Sequence, residues 1–365
     1  MQQIRFIDRD KNRNLFFATL RSRVDNYFKS NNISKHYNTQ MVLKTIILLC
    51  AYILPFAGIL FLHFPTGINF ALWTLMGISL SGIGMSIMHD ANHGSYSASS
   101  KVNYWLGHTL NLIGGSVFNW KLQHNILHHT YTNVVNMDDD IDDKLFFRFS
   151  PHTKVKWYHK FQFVYAFMFY GILTIYWAFL KDFVQYSKYK KEGVNKESKE
   201  QNRIILFKMI LFKILYFAGF ILIPIFVLHI PAGPYLSGFF LMHFIAGIIL
   251  TVTFQLAHTV ENTTHPLPDE SGTIENSWAI HQLNTTVNFS RKSKIISWYV
   301  GGLNFQVEHH LFPNICHVHY PAIAPIVKKT AEEFGIPYLE NKSLMAAVNS
   351  HIRMLKNFGK PSLEL

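Results

Sequence analysis

The chain has 365 residues, room for one large domain or two ordinary ones, yet 49% are apolar and only 15% charged, against about 25% charged in an average soluble domain. That balance, with 32 Phe, 17 Tyr and 7 Trp, excludes a pair of soluble domains and fits a chain in contact with lipid. The net charge of +12 comes from basic stretches beside apolar runs, as in loops facing anionic lipid; with no arginine-rich helix or zinc-finger spacing, nucleic acid is excluded as a partner.

Residues 1–40 are polar and carry Arg5, Arg9, Arg13, Arg21, Arg23 and Lys29. They read as a cytoplasmic N-terminal segment and not as a signal peptide. Runs 44–64 and 68–88 each approach the ~20 residues that cross a bilayer. Their link, Pro65-Thr66-Gly67, allows only a hairpin. A basic start places the entry to the first run, and therefore His89 after the second, on the cytoplasmic side. Residues 102–118 are short for a span and predict a re-entrant or interfacial segment.

Three more apolar runs follow at 161–180, 204–230 and 234–256. The last two are joined by Pro231-Ala232-Gly233 and form a second hairpin. If the His-rich segments before and after them build one site, an even number of crossings separates them. Run 161–180 then lies in or near the interface, or dips in and returns. The loop behind it carries Lys181, Lys188, Lys190, Lys191, Lys196, Lys199 and Arg203, which belong inside. Lys208 and Lys213, early in run 204–230, are expected to snorkel to the interface. The predicted fold is all-α and integral to the membrane: four transmembrane helices in two hairpins under a cytoplasmic helical cap. Residues 89–203 and 257–365 build the cap, with 341–365 as a cytoplasmic tail. Cys50 and Cys316 offer neither a disulfide framework nor a CxxC metal site.

The 20 His are clustered. The first cluster is His89-Asp-Ala-Asn-His93, the second His124-Asn-Ile-Leu-His128-His129, the third Gln306-Val-Glu-His309-His310. Residues four apart share a helix face. His89 and His93 can meet one ion, as can His124 and His128, and Gln306 shares a face with His310. At this His frequency an HxxxHH pattern arises by chance about 0.06 times per chain, and three clusters make chance remoter still. Imidazole suits iron, copper, zinc and nickel. Seven imidazoles exceed the needs of one ion and suit two. Few carboxylates lie within the clusters, Asp90 and Glu308 apart, which argues against a soluble-type carboxylate di-iron site.

These clusters, in this order and with these spans between them, closely resemble the membrane fatty acid desaturase superfamily. The resemblance covers residues 41–340, read as one desaturase domain. Its most specific piece is GGLNFQVEHHLFP at 301–313, and QHNILHHTYTN at 123–133 is similarly close. Gln306, where most of the superfamily has His, resembles the front-end branch (delta-5/delta-6, linoleoyl-CoA desaturase-like), which desaturates between an existing double bond and the carboxyl end. The resemblance implies two iron ions and O2 as co-substrate. The implied ligands are His89, His93, His124, His128, His129, His309 and His310, with Gln306 binding directly or through water. It also implies a further His near the end of the fourth span. His258 is favoured by position and His281 is the second candidate. No HPGG motif of a fused cytochrome b5 occurs, so no haem is expected in this chain. Electrons would come from a separate ferredoxin or cytochrome b5 with its reductase. The lack of a targeting signal and of that fusion points to a bacterial inner membrane rather than the endoplasmic reticulum.

Taking hydrogen from an unactivated CH2 needs an oxidant that no side chain supplies, so the protein's task is placement in a bent apolar tunnel. The substrate would be an acyl-CoA or an acyl-lipid. Around the ligands, Asp90, Asn92, Asn125 and Glu308 are expected to orient imidazoles. One of the acidic run Asp138, Asp139, Asp140, Asp142 and Asp143, Asp138 foremost, is expected to do so too. His317 and His319 read as structural or surface residues. The rivals are a sphingolipid desaturase or an acyl or alkane hydroxylase of the same superfamily, separated by product mass. A His-rich metal transporter is disfavoured, because transporters place their ligands near the bilayer midplane.

Overall fold

The computed structural model describes residues 4–141 and 146–361. Among these, four helices are long and apolar enough to cross a bilayer: Thr39–Phe61, Thr66–Asn92, Lys199–Val227 and Ala232–His258, here spans 1 to 4. Span 1 starts where the Asn38 side chain accepts a hydrogen bond from the Met41 amide at 3.0 Å, pairing a donor that every helix start leaves free. Span 3 starts in a capping box made by Ser198 and Gln201. Pro65 and Pro231 stand at the entries to spans 2 and 4, so the two short links turn the chain back as hairpins.

Spans 2 and 4 form the inner pair, 67% and 44% buried against 33% and 22% for spans 1 and 3. Glycine permits their close approach. A Cβ at Gly77 would lie 2.7 Å from the Met242 carbonyl oxygen of span 4. Trp73, Met76 and Leu80 of span 2 join Phe239 and Met242 of span 4 in one core that extends to Trp120 and Trp177. Spans 1 and 3 turn Leu54, Phe61, Phe207 and Phe226 outward, as helices facing lipid do.

The shorter apolar runs do not form straight rods. Run 161–180 falls on two helices, Trp157–Tyr170 and Leu173–Lys191, bent 62° apart. Run 102–118 divides between Ser100–Gly107, a 3-10 stretch His108–Ile113 and a left-handed turn at Gly114. One expectation is corrected here. Lys208 is exposed, but Lys213 does not snorkel. It is buried, pairs with Asp182 at 2.8 Å and donates to the Trp177 and Gly114 carbonyls. A cation that finds a carboxylate and two carbonyls inside the protein has no need to reach for water.

In the cap, helix Phe16–Ser30 buries Phe16, Leu20, Val24 and Phe28 at every fourth position. That stripe packs on residues 279–283 and 305–336. Two short parallel strand pairs tie the chain's outer parts to the segment after span 4: Arg5–Ile7 with Thr273–Glu275, and Asn288–Phe289 with Glu340–Asn341. The three His-rich segments meet where the cap sits on spans 2 and 4.

Candidate metal centre

Each histidine is delivered by a helix end or a wide helical turn. His89 continues span 2 directly after a π-helical stretch, Ile83–Met88. His124 and His128 lie within another, Lys121–His128. His309 and His310 sit on the short helix Gln306–Leu311, and His258 is the last residue of span 4. His124 and His128 stay neighbours as their spacing predicts, with stacked rings 5.1 Å apart and one ligand atom of each within 4.8 Å of the other and of Asp140, yet each also joins a different set of imidazoles from other segments.

Two groups result. In the first, one ring nitrogen from each of His89, His93, His124 and His309 lies within 4.8 Å of the others. In the second, the same holds for His128, His258 and His310. His129 stands between them. Its ring is 4.8 Å from His93, 4.6 Å from His309 and 4.5 Å from His310. All eight rings are buried except that of His93, which is partly so.

Five of the outer nitrogens are pinned by the protein. His124 Nδ1–H donates to Asp140 at 3.0 Å and His128 Nδ1–H to Asp138 at 2.9 Å. His310 Nδ1–H donates to Gln282 Oε1 at 2.7 Å and His258 Nδ1–H to the Thr285 carbonyl at 3.3 Å. His309 Nδ1 pairs with the Tyr320 hydroxyl at 3.2 Å. The inner nitrogens are not paired. Nε2 of His93, His128, His129, His258, His309 and His310 is buried without a hydrogen-bond partner, while Nε2 of His89 and His124 face each other at 3.2 Å. Buried polar atoms are nearly always satisfied. A converging set of bare imidazole nitrogens, four of them on rings oriented through the other nitrogen, is the donor set that first-row metal ions take.

Electrostatics keep most rings neutral, the form that binds metal. Burial, then the neighbouring imidazoles, holds His93, His129, His309 and His310 well below their ordinary pKa. Burial lowers His124 to about 3 against the opposing pull of Asp140. His128 is the exception. Burial acts against its charge, but Asp138 outweighs burial and raises it. Apolar walls keep water out: Trp120 stacks on His124 at 4.6 Å, and Phe254 lies 4.9 Å from His128 and 5.0 Å from His258.

Several expected roles change. His281 joins neither group, and its ring packs on Phe6 at 4.8 Å. The register of helix Trp278–Thr285 turns the next residue, Gln282, to the centre instead. Asn92 donates to the Gly107 carbonyl at 3.1 Å, and Asn125 donates to the Asn92 carbonyl at 2.9 Å. Both tie the clusters' backbones and orient no imidazole. Glu308 accepts from Asn288 at 2.8 Å and Tyr338 at 2.7 Å and faces away from the rings. Asp90 lies 3.8 Å from His89 Nδ1 but accepts from His317 at 2.8 Å. Of the acidic run, Asp138 and Asp140 both reach imidazoles. Asp139 pairs with Lys188 at 2.8 Å, and Asp142 and Asp143 lie outside the described residues. Gln306 Oε1 is buried and unpartnered.

Gln282, Thr285 and Tyr320 carried no motif, and nothing in local spacing could have singled them out. Asp90, Cys316 and His317 form a third close trio. There, however, Lys44 donates to His317 Nε2 at 2.8 Å. An ammonium already occupies the place that a metal ion would need, so this trio is a polar clasp between span 1, span 2 and the segment after the third cluster.

Comparison with known proteins bears on this geometry. A family model described as "Fatty acid desaturase" matches residues 65–342. An sn-1 linoleoyl-lipid 6-desaturase of Arthrospira platensis is 36% identical over 93% of the chain and 92% of the relative. An acyl-lipid (8-3)-desaturase of Physcomitrium patens is 37% identical over 96% of the chain and 73% of the relative. A protein of Dictyostelium discoideum described as a probable Delta(5) fatty acid desaturase C is 32% identical over 98% and 78%.

Proposed function

Because the chain belongs to the fatty acid desaturase family, we propose that its two histidine groups hold two iron ions and that it places a cis double bond near the carboxyl end of an acyl chain carried by a membrane lipid. The enzyme is a desaturase of the front-end kind, as its relatives are. The observation that carries the iron assignment is the set of buried, unpartnered Nε2 atoms converging from three segments of the chain. His89, His93, His124 and His309 would hold one ion, and His128, His258 and His310 the other. His129 would serve either, and the Gln306 side-chain oxygen would bind directly or through water. His281 is left out, because its neighbour Gln282 takes the place facing the rings.

When bound, the irons supply the oxidising power that C–H removal requires and that no side chain has. The reaction balances as one CH2–CH2 pair, one O2, two electrons and two protons giving one CH=CH and two waters. The protein's own residues orient and exclude. Asp138, Asp140, Gln282 and the Thr285 carbonyl fix the tautomer and plane of their imidazoles, leaving Nε2 inward. Trp120 and Phe254 close the rings off from water, which favours the neutral, metal-binding imidazole. The electrons would come from a separate ferredoxin or cytochrome b5 with its reductase. The basic 181–203 loop and N-terminal segment support a cytoplasmic centre and cytoplasmic termini.

The test is fatty acid profiling with double-bond localisation of cells that express the wild type or His309→Ala, supplied with linoleic acid and an electron donor. A more unsaturated acid from the wild type alone supports the reading, and its double-bond position reports the regioselectivity. A hydroxylated product in its place would sink desaturation.

A further inference from the structure

We propose that the cavity between residues 104–121 and span 3 binds the phosphate-bearing headgroup of the glycerolipid being desaturated, with Lys121 and Lys208 as its anion contacts. This rests on the desaturase reading and extends it to the lipid class. The cavity measures about 260 Å³. Val117, Ile205 and Phe212 supply apolar walls, while Lys121, Lys208, Lys213 and Asp182 supply charged ones. That two-faced lining fits an amphiphile.

Lys213, at the same cavity, is neutralised by Asp182 at 2.8 Å. Among the described residues, no carboxylate lies within ion-pair distance of Lys121 or Lys208. The level is also right for a headgroup. Counting back from Val227, the far end of span 3, the ~20 residues that traverse hydrocarbon reach Lys208. This lysine therefore sits where phosphates lie, on the side of the basic loop.

The cavity is also next to the metal centre. Lys121 opens the helical stretch whose fourth residue is His124. The preceding residue, Trp120, stacks on the His124 ring at 4.6 Å. One helix thus shows Lys121 to the cavity and His124 to the iron site. A lipid held by its phosphate at Lys121 presents the carbons nearest its ester to that site. Front-end placement of the double bond follows from where the headgroup is held.

The experiment uses iron-loaded enzyme with reduced electron donor and three acyl donors: dilinoleoyl phosphatidylglycerol in nanodiscs, an uncharged dilinoleoyl galactolipid in nanodiscs, and linoleoyl-CoA. The expected wild type prefers the phospholipid. In the Lys121→Gln/Lys208→Gln variant, the ratio of kcat/KM for phospholipid to that for galactolipid falls about tenfold, on the scale of one cation near an anionic headgroup or somewhat more. Lys121→Arg/Lys208→Arg restores the ratio, which a merely misfolded Gln variant would not explain. An unchanged ratio overturns the proposal, as does a lysine dependence confined to linoleoyl-CoA. Native mass spectrometry of retained phosphatidylglycerol supplies a second readout. Less lipid on the Gln variant supports the site, and equal lipid overturns it, even if no donor is turned over. Failure with all three donors would count against the desaturase reading instead.

Discussion

Three buried histidines outside the centre, His351, His243 and His317, differ from those inside it at one atom, while a fourth, the lone His281, also leaves Nε2 unpartnered. Outside the centre, His351 uses both nitrogens on protein, 2.7 Å to the Thr259 carbonyl and 2.9 Å to the Tyr170 hydroxyl. His243 does the same with Tyr216 at 2.7 Å and Thr174 at 3.1 Å, and His317 with Asp90 and Lys44, each at 2.8 Å. In the centre, His128, His258, His309 and His310 pair the outer nitrogen on protein and leave the inner one bare, and His129 leaves both bare. Leaving one such donor or acceptor unpaired inside a protein costs about 1–3 kcal/mol. Six of them in one place describe a site built for something that binds there. The contrast teaches that a cluster of His is read by what its second nitrogen does, not by burial or number.

The largest effect should come from removing a ring with a bare nitrogen. His258→Ala and His310→Ala are each expected to abolish product and lower iron per chain. His351→Ala should leave iron content intact and lower the thermal midpoint instead. Equal iron loss in all three, measured on folded protein, would dissolve the distinction between the regions.

Next come the residues that pin the outer nitrogens. Asp138→Asn and Gln282→Leu should reduce activity or iron affinity by about 10- to 100-fold, the usual scale for partners of metal-bound imidazole. Iron titration followed by absorbance would measure this. Glu308→Gln keeps the bonds to Asn288 and Tyr338 within reach and touches no ring, so its activity should stay within about threefold. A Glu308→Gln loss as large as that of Asp138→Asn would show that closeness in sequence outweighs hydrogen bonding to the ring.

The residues just named also mark what the sequence disclosed. Spans were legible because apolar length alone reports them, and the clusters because HxxxH spacing survives in any helix. Which imidazoles His124 and His128 each meet was not, since HxxxH spacing says nothing of the rings that other segments bring to them. Gln282 was hidden beside His281 because the register of an eight-residue helix is set by what it packs on. Helix Trp278–Thr285 packs on the N-terminal helix and on the third cluster. Tyr320 and Thr285 are joined to the centre by folding, and no spacing rule links a lone hydroxyl or carbonyl to a distant imidazole. The reverse error came from proximity: Asn92, Asn125 and Glu308 lie inside the motifs yet serve the backbone and the cap.

The smallest effect sharpens the comparison from the side of the paired histidines. His351 is buried, and only uncharged groups face it: the Tyr170 hydroxyl, the Thr259 carbonyl and the ring of Phe167. Burial lowers its pKa from 6.5 to about 4, with the Thr259 carbonyl opposing. The unfolded chain therefore takes up this proton near pH 6.5 while the folded chain resists until about pH 4. The stabilisation is complete above 6.5 and is lost as pH falls toward 4. Between pH 7 and 5.5 the loss is about 1 kcal/mol for this one group. His351→Gln has no proton to take up, so its stability should fall less over the same interval by that amount. Thermal midpoints of both proteins at pH 7 and 5.5 decide the matter. Parallel pH slopes would mean that the C-terminal helix is held by packing alone, and that the protonation of His351 has no part in fixing it to the cap.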